Sequence, residues 1–164
     1  MRVGLISDTH DNVTKIKAVI KRLNELNVDL VLHAGDYISP FTAKPYAELK
    51  AKMIGVYGNN CAEHEKLKAV YTAVGKEIIG NFAEVEAGSR GIALLHGHDA
   101  ALLRSLTTRG CYDVVVHGHD HVAKIAKVGG TLVVNPGEVG GWLTGRSSFG
   151  LLDTETLEAE IIDL

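Results

Sequence analysis

Five apolar runs in this chain each end in a small polar cluster, and the clusters draw on a narrow set of side chains. They are Asp8 and His10 in "SDTH", Asp36 in "HAGD", Asn59 in "GNN", His96 and His98 in "HGH", and His117, His119 and His121 in "HGHDH". Carboxylates, imidazoles and an amide oxygen are the oxygen and nitrogen ligands of divalent first-row metals such as manganese, iron, nickel or zinc. Asp8 and His10 are two residues apart, as are His117 and His119, so on an extended backbone each pair points to one side. A single ion could be gripped by both members of such a pair. Glycines at 35, 58, 97 and 118 stand beside these residues, where a missing Cβ lets the backbone turn sharply or approach a bound group. One Asp-x-His or His-x-His arises easily by chance on a solvated loop. Five clusters in register with five run ends are a much stronger signal.

The runs must therefore be elements that share one end. "RVGLIS" reads as a strand, "NVTKIKAVIKRLNEL" as a helix with Val13, Ile16, Ile20 and Leu23 on one face, and "VDLVLHAG" as a second strand, so a βαβ unit opens the chain. Ser39 then Pro40 has the N-cap and N1 pattern of a helix running through "FTAKPYAELKA", followed by a strand "KMIGVYG" and a helix "AEHEKLKAVYTAVG". From residue 77 the pattern changes: "EIIGNFAEVEAGSRGIALLHG" holds two β-like runs around a turn at Gly88 to Gly91, a hairpin with no helix between. A helix "DAALLRSLTTRG" leads to the valine strand at 114–116, and "KIAKVGGTLVVNPG" and "SFGLLDTETLEAEIIDL" read as further strands with tight turns. The expectation is one α/β domain over 1–164, with a mixed sheet or two sheets face to face. In an open α/β sheet the carboxyl ends of parallel strands line one crevice, so residues more than a hundred positions apart can meet there.

The bulk properties exclude several classes. With 164 residues, 46% hydrophobic and 23% charged, the composition is that of a globular domain. A formal net charge of −3 offers no basic surplus against a nucleic acid backbone, so nucleic acid is expected at most as a substrate end. No apolar run approaches the roughly 20 residues that span a bilayer, and "MRVGLISDTH" turns polar too soon for a signal peptide. A cytoplasmic location without membrane contact is the expectation. Cys61 and Cys111 fit neither a zinc knuckle nor a CxxC pair and read as two reduced cysteines.

In order along the chain, D-x-H, G-D, G-N, H and G-H-x-H resemble the calcineurin-like metallophosphoesterase superfamily. The short length, the opening "VGLISDTHDN", the "HGH" and the closing "GHDH...NPGE" resemble more narrowly its small YfcE-type prokaryotic phosphodiesterase family. The resemblance implies an α/β fold of four layers, an α/β/β/α sandwich with mixed sheets, and a two-metal centre at the strand ends. Carried over, it implies that Asp8, His10 and His119 bind a first ion and Asp36 bridges both. Asn59, His96 and His117 then complete the second. The implied activity is metal-dependent hydrolysis of small phosphodiesters by in-line attack of a metal-bridging hydroxide at phosphorus, with manganese expected and nickel, zinc, iron or magnesium also suited. Relatives commonly self-associate, so a homo-oligomer is a further expectation.

The match departs from the family at two places. The family's G-N-[HCN]-[DE] stands here as Gly58, Asn59, Asn60, Cys61, and Asn60 carries no proton at neutral pH, so it cannot protonate a leaving group as a histidine there can. Glu138 follows "NPG" where relatives commonly have serine, and it either alters the pocket or faces solvent. His98 and His121 flank the assigned ligands and are the side chains left to act as an acid or contact phosphate; His98 joins Asn59 as a candidate catalytic residue. His33, inside a strand, reads as a structural histidine, and His64 as solvated on a charged helix. Lys15, Lys17, Lys21 and Arg22 form a solvated helix face. Trp142 and Arg146 in "GGWLTGR" could serve as a lid aromatic and a phosphate-pairing guanidinium, or belong only to a connecting loop. Two other functions stay open. One is a scaffold binding partner proteins, as the small retromer subunit does on this fold with a degraded metal site; the other is a phosphomonoesterase or protein phosphatase, which would call for a larger chain.

Overall fold

The computed structural model describes all 164 residues, and its eleven strands form two sheets. The first carries six strands in the order β11 (Glu158–Asp163), β10 (Ser148–Asp153), β1 (Arg2–Ile6), β2 (Leu30–His33), β3 (Lys52–Val56) and β4 (Glu77–Gly80). The second carries five, β5 (Phe82–Ala87), β6 (Arg90–Leu95), β7 (Val114–Val116), β9 (Thr131–Asn135) and β8 (Lys124–Val128). Strands β1 to β4 are parallel, as are β6, β7 and β9, and the hairpins β5–β6, β8–β9 and β10–β11 are antiparallel. Both sheets are thus mixed.

Side-chain alternation along the strands divides the core into layers. Val3, Leu5, Leu30, Leu32 and Val56 of the first sheet meet Val85, Ile92, Leu94, Val114 and Val116 of the second in one buried cluster between the sheets. On the outer face of the first sheet, Ile6, Val31 and Met53 pack against Ile16, Val19, Ile20 and Leu23 of α1 (Val13–Glu25) and Leu67 and Tyr71 of α2 (His64–Ala73). On the outer face of the second sheet, Ala93, Leu95 and Val115 meet Leu103 and Leu106 of α3 (Ala100–Thr108). Helix, sheet, sheet and helix are the four layers expected. The first helix starts where its sequence signal lies, since Asn12 Oδ1 accepts the amide of Lys15.

Two expectations change. Residues Pro40–Glu48 form a 3₁₀ helix rather than an α-helix, because Pro45 in its interior supplies no amide for an α-helical ladder. Ser39 makes no cap; its amide and hydroxyl both donate to the carboxylate of Asp11. The run from 77 to 87 is not one strand but two. It breaks at Asn81, and β4 joins the first sheet beside β3 while β5 opens the second.

Candidate metal centre

The parallel strands of both sheets end on one edge of the sandwich, and the loops leaving β1, β2, β3, β6, β7 and β9 converge there. Left-handed backbone concentrates in these loops. Asp8, His10, Asp11, Asp36, Ile38, His119 and His121 all have φ between 40° and 78°. Such conformations cost free energy for residues with a Cβ and persist where surrounding contacts fix them. The contacts are visible: the amide of Asp8 donates to Gly35 O, that of His10 to Asp36 O, and that of Gly118 to His96 O. These bonds lace β1 to β2 and join the β6 and β7 loops.

Asp8 is fully buried, and its two oxygens have different surroundings. Oδ2 accepts from Ser7 Oγ at 2.6 Å and from the amide of His119 at 3.1 Å. Oδ1 has no hydrogen-bond partner and faces three imidazole nitrogens: His121 Nε2 at 3.4 Å, His10 Nε2 at 3.5 Å and His96 Nε2 at 4.0 Å. Asp36 Oδ1 accepts the amide of Asn60, and its Oδ2 accepts from Asn60 Nδ2 at 2.8 Å. That same Oδ2 lies 3.4 Å from His10 Nε2 and 3.3 Å from His96 Nε2. Oδ1 of Asp8, Nε2 of His10 and Nε2 of His96 are buried and make no hydrogen bond. Unsatisfied buried polar atoms are rare because each costs its hydration, and here they point at one another. That is the arrangement a cation resolves. Asp8, His10 and His121 form one group whose ligand atoms lie within 4.8 Å of each other, and Asp8, Asp36 and His96 form a second by the same measure.

The electrostatics agree. Burial pushes the pKa of Asp8 up, but the imidazoles of His10, His96 and His121 and the hydroxyl of Ser7 outweigh it and leave it below the usual carboxylate range. Asp36 is likewise held well down, with burial opposed by His96 and by both donors of Asn60. His10 is raised, chiefly by Asp8. His96 is raised as well, burial being overcome by Asp36 and Asp8. Two carboxylates held ionised beside imidazoles whose proton affinity they raise make a site that favours positive charge.

The loop after β7 departs from the expected pairing. His121, not His119, stands with its ring against Asp8 and His10, stacked on His10 with centroids 5.0 Å apart. Strand alternation explains where His117 goes: Val114 and Val116 face the other sheet, Val115 faces α3, and His117 follows Val115. Its Nδ1 lies 3.1 Å from Gly118 O, and its ring lines a groove with Leu103 and Thr107 of α3. His117 is thus outside both ligand groups, in contrast to the role the resemblance implied. Beyond β7 the positive φ of His119 and His121 ends the extended geometry, so rules of spacing stop applying there. His119, expected at the ion held by Asp8 and His10, has its ring next to His96 instead, the two rings meeting edge to face at 5.2 Å. The exposed His98 flanks both, with centroids 5.6 Å from His96 and 6.2 Å from His119. Asn59 is exposed, and its neighbour Asn60 makes the contact with Asp36.

Glu138, in the loop after β9, is fully buried and joins the site through His121, whose Nδ1 lies 2.9 Å from Glu138 Oε2. The carboxylate also accepts the amides of Trp142, Leu143 and Thr144 and the hydroxyl of Thr144. Burial alone would raise its pKa, yet these donors and His121 lower it to about 2. Its position after a parallel strand was the available signal, the same rule that marks the other loops. Arg146 faces away from such a role, since its Nε donates to Asp163.

Comparison with known proteins matches this architecture. The family model for the calcineurin-like phosphoesterase superfamily domain matches residues 1–157. Phosphodiesterase MJ0936 of Methanocaldococcus jannaschii is 41% identical over 159 residues, covering 96% of each chain. A solved structure characterised as a novel archaeal phosphodiesterase superposes with a TM-score of 0.95 at 39% identity over 100% of both chains. The Yfce phosphoesterase of E. coli shares the fold, with a TM-score of 0.71 at 19% identity over 99% of this chain and 98% of its own. Strand order, the carboxylate and imidazole cluster at the strand ends and the match over nearly the whole chain lead to one placement: the chain belongs to the calcineurin-like phosphoesterase superfamily.

Proposed function

We propose that the protein is a phosphodiesterase acting on small phosphodiesters with two divalent cations. The observation that carries this reading is the pair of ligand groups that share Asp8, with Asp36 Oδ2 beside both His10 and His96 and three buried polar atoms left without partners among them. One cation is assigned to Asp8, His10, His121 and Asp36. The other is assigned to Asp36, His96, His119 and Asn59. When bound, such a pair of cations supplies Lewis-acid stabilisation of the phosphoryl oxygens and makes water a competent nucleophile near neutral pH. Manganese is the expected ion, and the same ligands suit nickel, zinc, iron or magnesium.

The chain's own residues prepare the site. Asn60 fixes both oxygens of Asp36, so that Oδ2 is presented to the His10 and His96 sides together. Ser7 and the His119 amide hold Asp8 Oδ2, which turns Oδ1 toward the imidazoles. Glu138 accepts the Nδ1 proton of His121 and thereby leaves Nε2 with a lone pair for the cation, an outer carboxylate support common at metal-bound histidines. Asn60 has no proton to give, so the exposed His98 beside His96 and His119 is the side chain placed to deliver one to the departing oxygen. Preference for a diester over a monoester draws its support from the name of the relative at 41% identity.

The test is hydrolysis of a chromogenic aryl phosphodiester, with its monoester alongside, by metal-stripped protein given back manganese, nickel or zinc. Metal-restored, diester-selective turnover that is abolished in Asp36→Asn and His121→Ala is the expected result. Turnover that is indifferent to metal, or faster on the monoester, contradicts it.

A further inference from the structure

The chain contains one tryptophan, Trp142, and the structure leaves it 64% exposed, next to Leu143 at 75%. An indole is the largest apolar surface a side chain offers, and its burial is the ordinary outcome. Here the exposed ring is nevertheless fixed in place. Its Nε1 donates to the backbone carbonyl of His10 at 3.1 Å. Its own amide and those of Leu143 and Thr144 converge on the buried carboxylate of Glu138. The loop is also stitched to the strand-end residues: Val139 donates to Ser7 O, Gly140 donates to Asp8 O, and Asn12 Nδ2 donates to Gly140 O at 2.8 Å. Gly140 allows the close approach, because a Cβ there would lie 3.0 Å from Asp8 O and 3.1 Å from Trp142 Cδ1.

The indole has therefore used its one polar atom and one edge on the backbone of the D-x-H loop at His10, while most of its surface stays open. Holding an exposed side chain in one orientation costs rotamer entropy, and the four donors gathered on Glu138 are what offsets it. A rigid π-face within one residue of a metal ligand is a stacking surface for whatever is attached to the phosphorus. From this we infer that Trp142 selects phosphodiesters in which one esterified group is a flat ring, a nucleoside base or an aryl group, with Glu138 as the positioning residue that holds the platform. This rests on the phosphodiesterase reading above and names the substrate class of that same site.

The experiment has a binding arm and a kinetic arm. Because Trp142 is the sole tryptophan, intrinsic fluorescence of the manganese-loaded protein reports on it directly. Adenosine 5′-monophosphate and phenyl phosphate should each quench it saturably, and glycerol 3-phosphate should not; the two ring probes distinguish a base from a simple aryl group. In the kinetic arm, kcat/KM is measured for bis(p-nitrophenyl) phosphate, adenosine 2′,3′-cyclic phosphate and the ring-free diester glycerophosphocholine. Trp142→Leu, which keeps apolar bulk but no π-face, should lower the ratio of ring to ring-free turnover roughly ten- to hundredfold, mostly through KM. Trp142→Phe should restore most of that ratio. Equal losses on all three diesters would give the indole a structural role only and overturn the inference. So would quenching by none of the probes, or fluorescence that shifts with protein dilution and so places the ring in a contact between copies. If no diester were turned over at all, the phosphodiesterase reading would fail by itself, and the fluorescence arm would still decide whether the ring binds flat phosphate esters.

Discussion

Glu138 Oε2 lies 2.9 Å from Nδ1 of His121, whose Nε2 lies 3.4 Å from Oδ1 of Asp8. By accepting the Nδ1 proton, the carboxylate sets the tautomer of the ring and leaves Nε2 with its lone pair on the side of Asp8. The same carboxylate holds the 142–144 segment, so one buried charge supports a proposed metal ligand and the proposed ring platform together.

Glu138→Gln keeps the size of the side chain but replaces one acceptor oxygen with a donor. Metal affinity, read by competition with a chelator, should fall about 10- to 100-fold, the usual effect of losing such a support. Glu138→Ala leaves three amides and a hydroxyl without their acceptor and should also cost at least about 2 kcal/mol in denaturant unfolding. Unchanged metal affinity in Glu138→Gln would remove the carboxylate from any role in orienting His121.

His117 and His121 make opposite predictions about stoichiometry. His121→Ala should reduce the metal content per chain, measured by elemental mass spectrometry after dialysis, while His117→Ala should retain the content of the parent. Loss of metal in His117→Ala would return that residue to the centre and contradict its placement in the groove beside α3.

At Gly118 the β7 loop packs directly on the D-x-H loop. An added Cβ would overlap Ser7 Oγ and come within 2.5 Å of Asp8 Oδ2, so Gly118→Ala must displace the carboxylate or the loop. A fall of more than about 100-fold in turnover is expected, since displacements of about 1 Å carry that scale of loss. Gly130→Ala, in the β8–β9 turn with nothing within 4 Å of its added Cβ, should behave as the parent in the same assay.

His33 supplies a pH dependence of stability. Fully buried, stacked on Tyr37 and accepting the amide of Gly35 at Nδ1, it has its pKa lowered by burial to about 3 from an ordinary 6.5. Between those values the unfolded chain binds a proton that the folded chain does not, so stability rises with pH and is lost as pH falls from about 6.5 toward 3. Denaturant unfolding of His33→Asn across that window should show a shallower slope than the parent, the difference approaching ~1.4 kcal/mol per pH unit at most. Parallel slopes would show that His33 is not the group responsible.

His98 and Asn60 together predict the leaving-group dependence. If His98 delivers the proton, His98→Ala should slow alkyl diesters more than p-nitrophenyl diesters, whose leaving oxygen needs no acid. A Brønsted series of aryl and alkyl esters should steepen in the variant. An identical slope in both proteins would take the proton-donor role away from His98.

Much of this molecule was legible in its residues. Strand-end clusters at Asp8, His10, Asp36 and His96 were readable because parallel strands deliver their carboxyl ends to one edge whatever the strand order. The amphipathic period of α1 and the tight turns of the hairpins were equally local signals. The failures lay where local rules end. Pro45 turned an expected α-helix into a 3₁₀ helix, and the run from 77 to 87 breaks at Asn81, its two halves pairing with β3 in one sheet and β6 in the other, which the alternation within the run does not signal.

The β7 loop shows the division most clearly. The sequence by itself determined that imidazoles would follow the valines and that His117 shares the face of Val115; that this face packs on α3, away from the site, was decided by the tertiary structure. Only the tertiary structure decided that His119 would turn toward His96 and His121 toward Asp8, because left-handed backbone at both residues ends the alternation that spacing depends on. Burial of Glu138 was decided in the same way. A carboxylate after "NPG" reads equally well as solvent-exposed until the 142–144 amides fold back onto it, and their convergence depends on a loop anchored to Ser7 and Asp8, more than a hundred residues away.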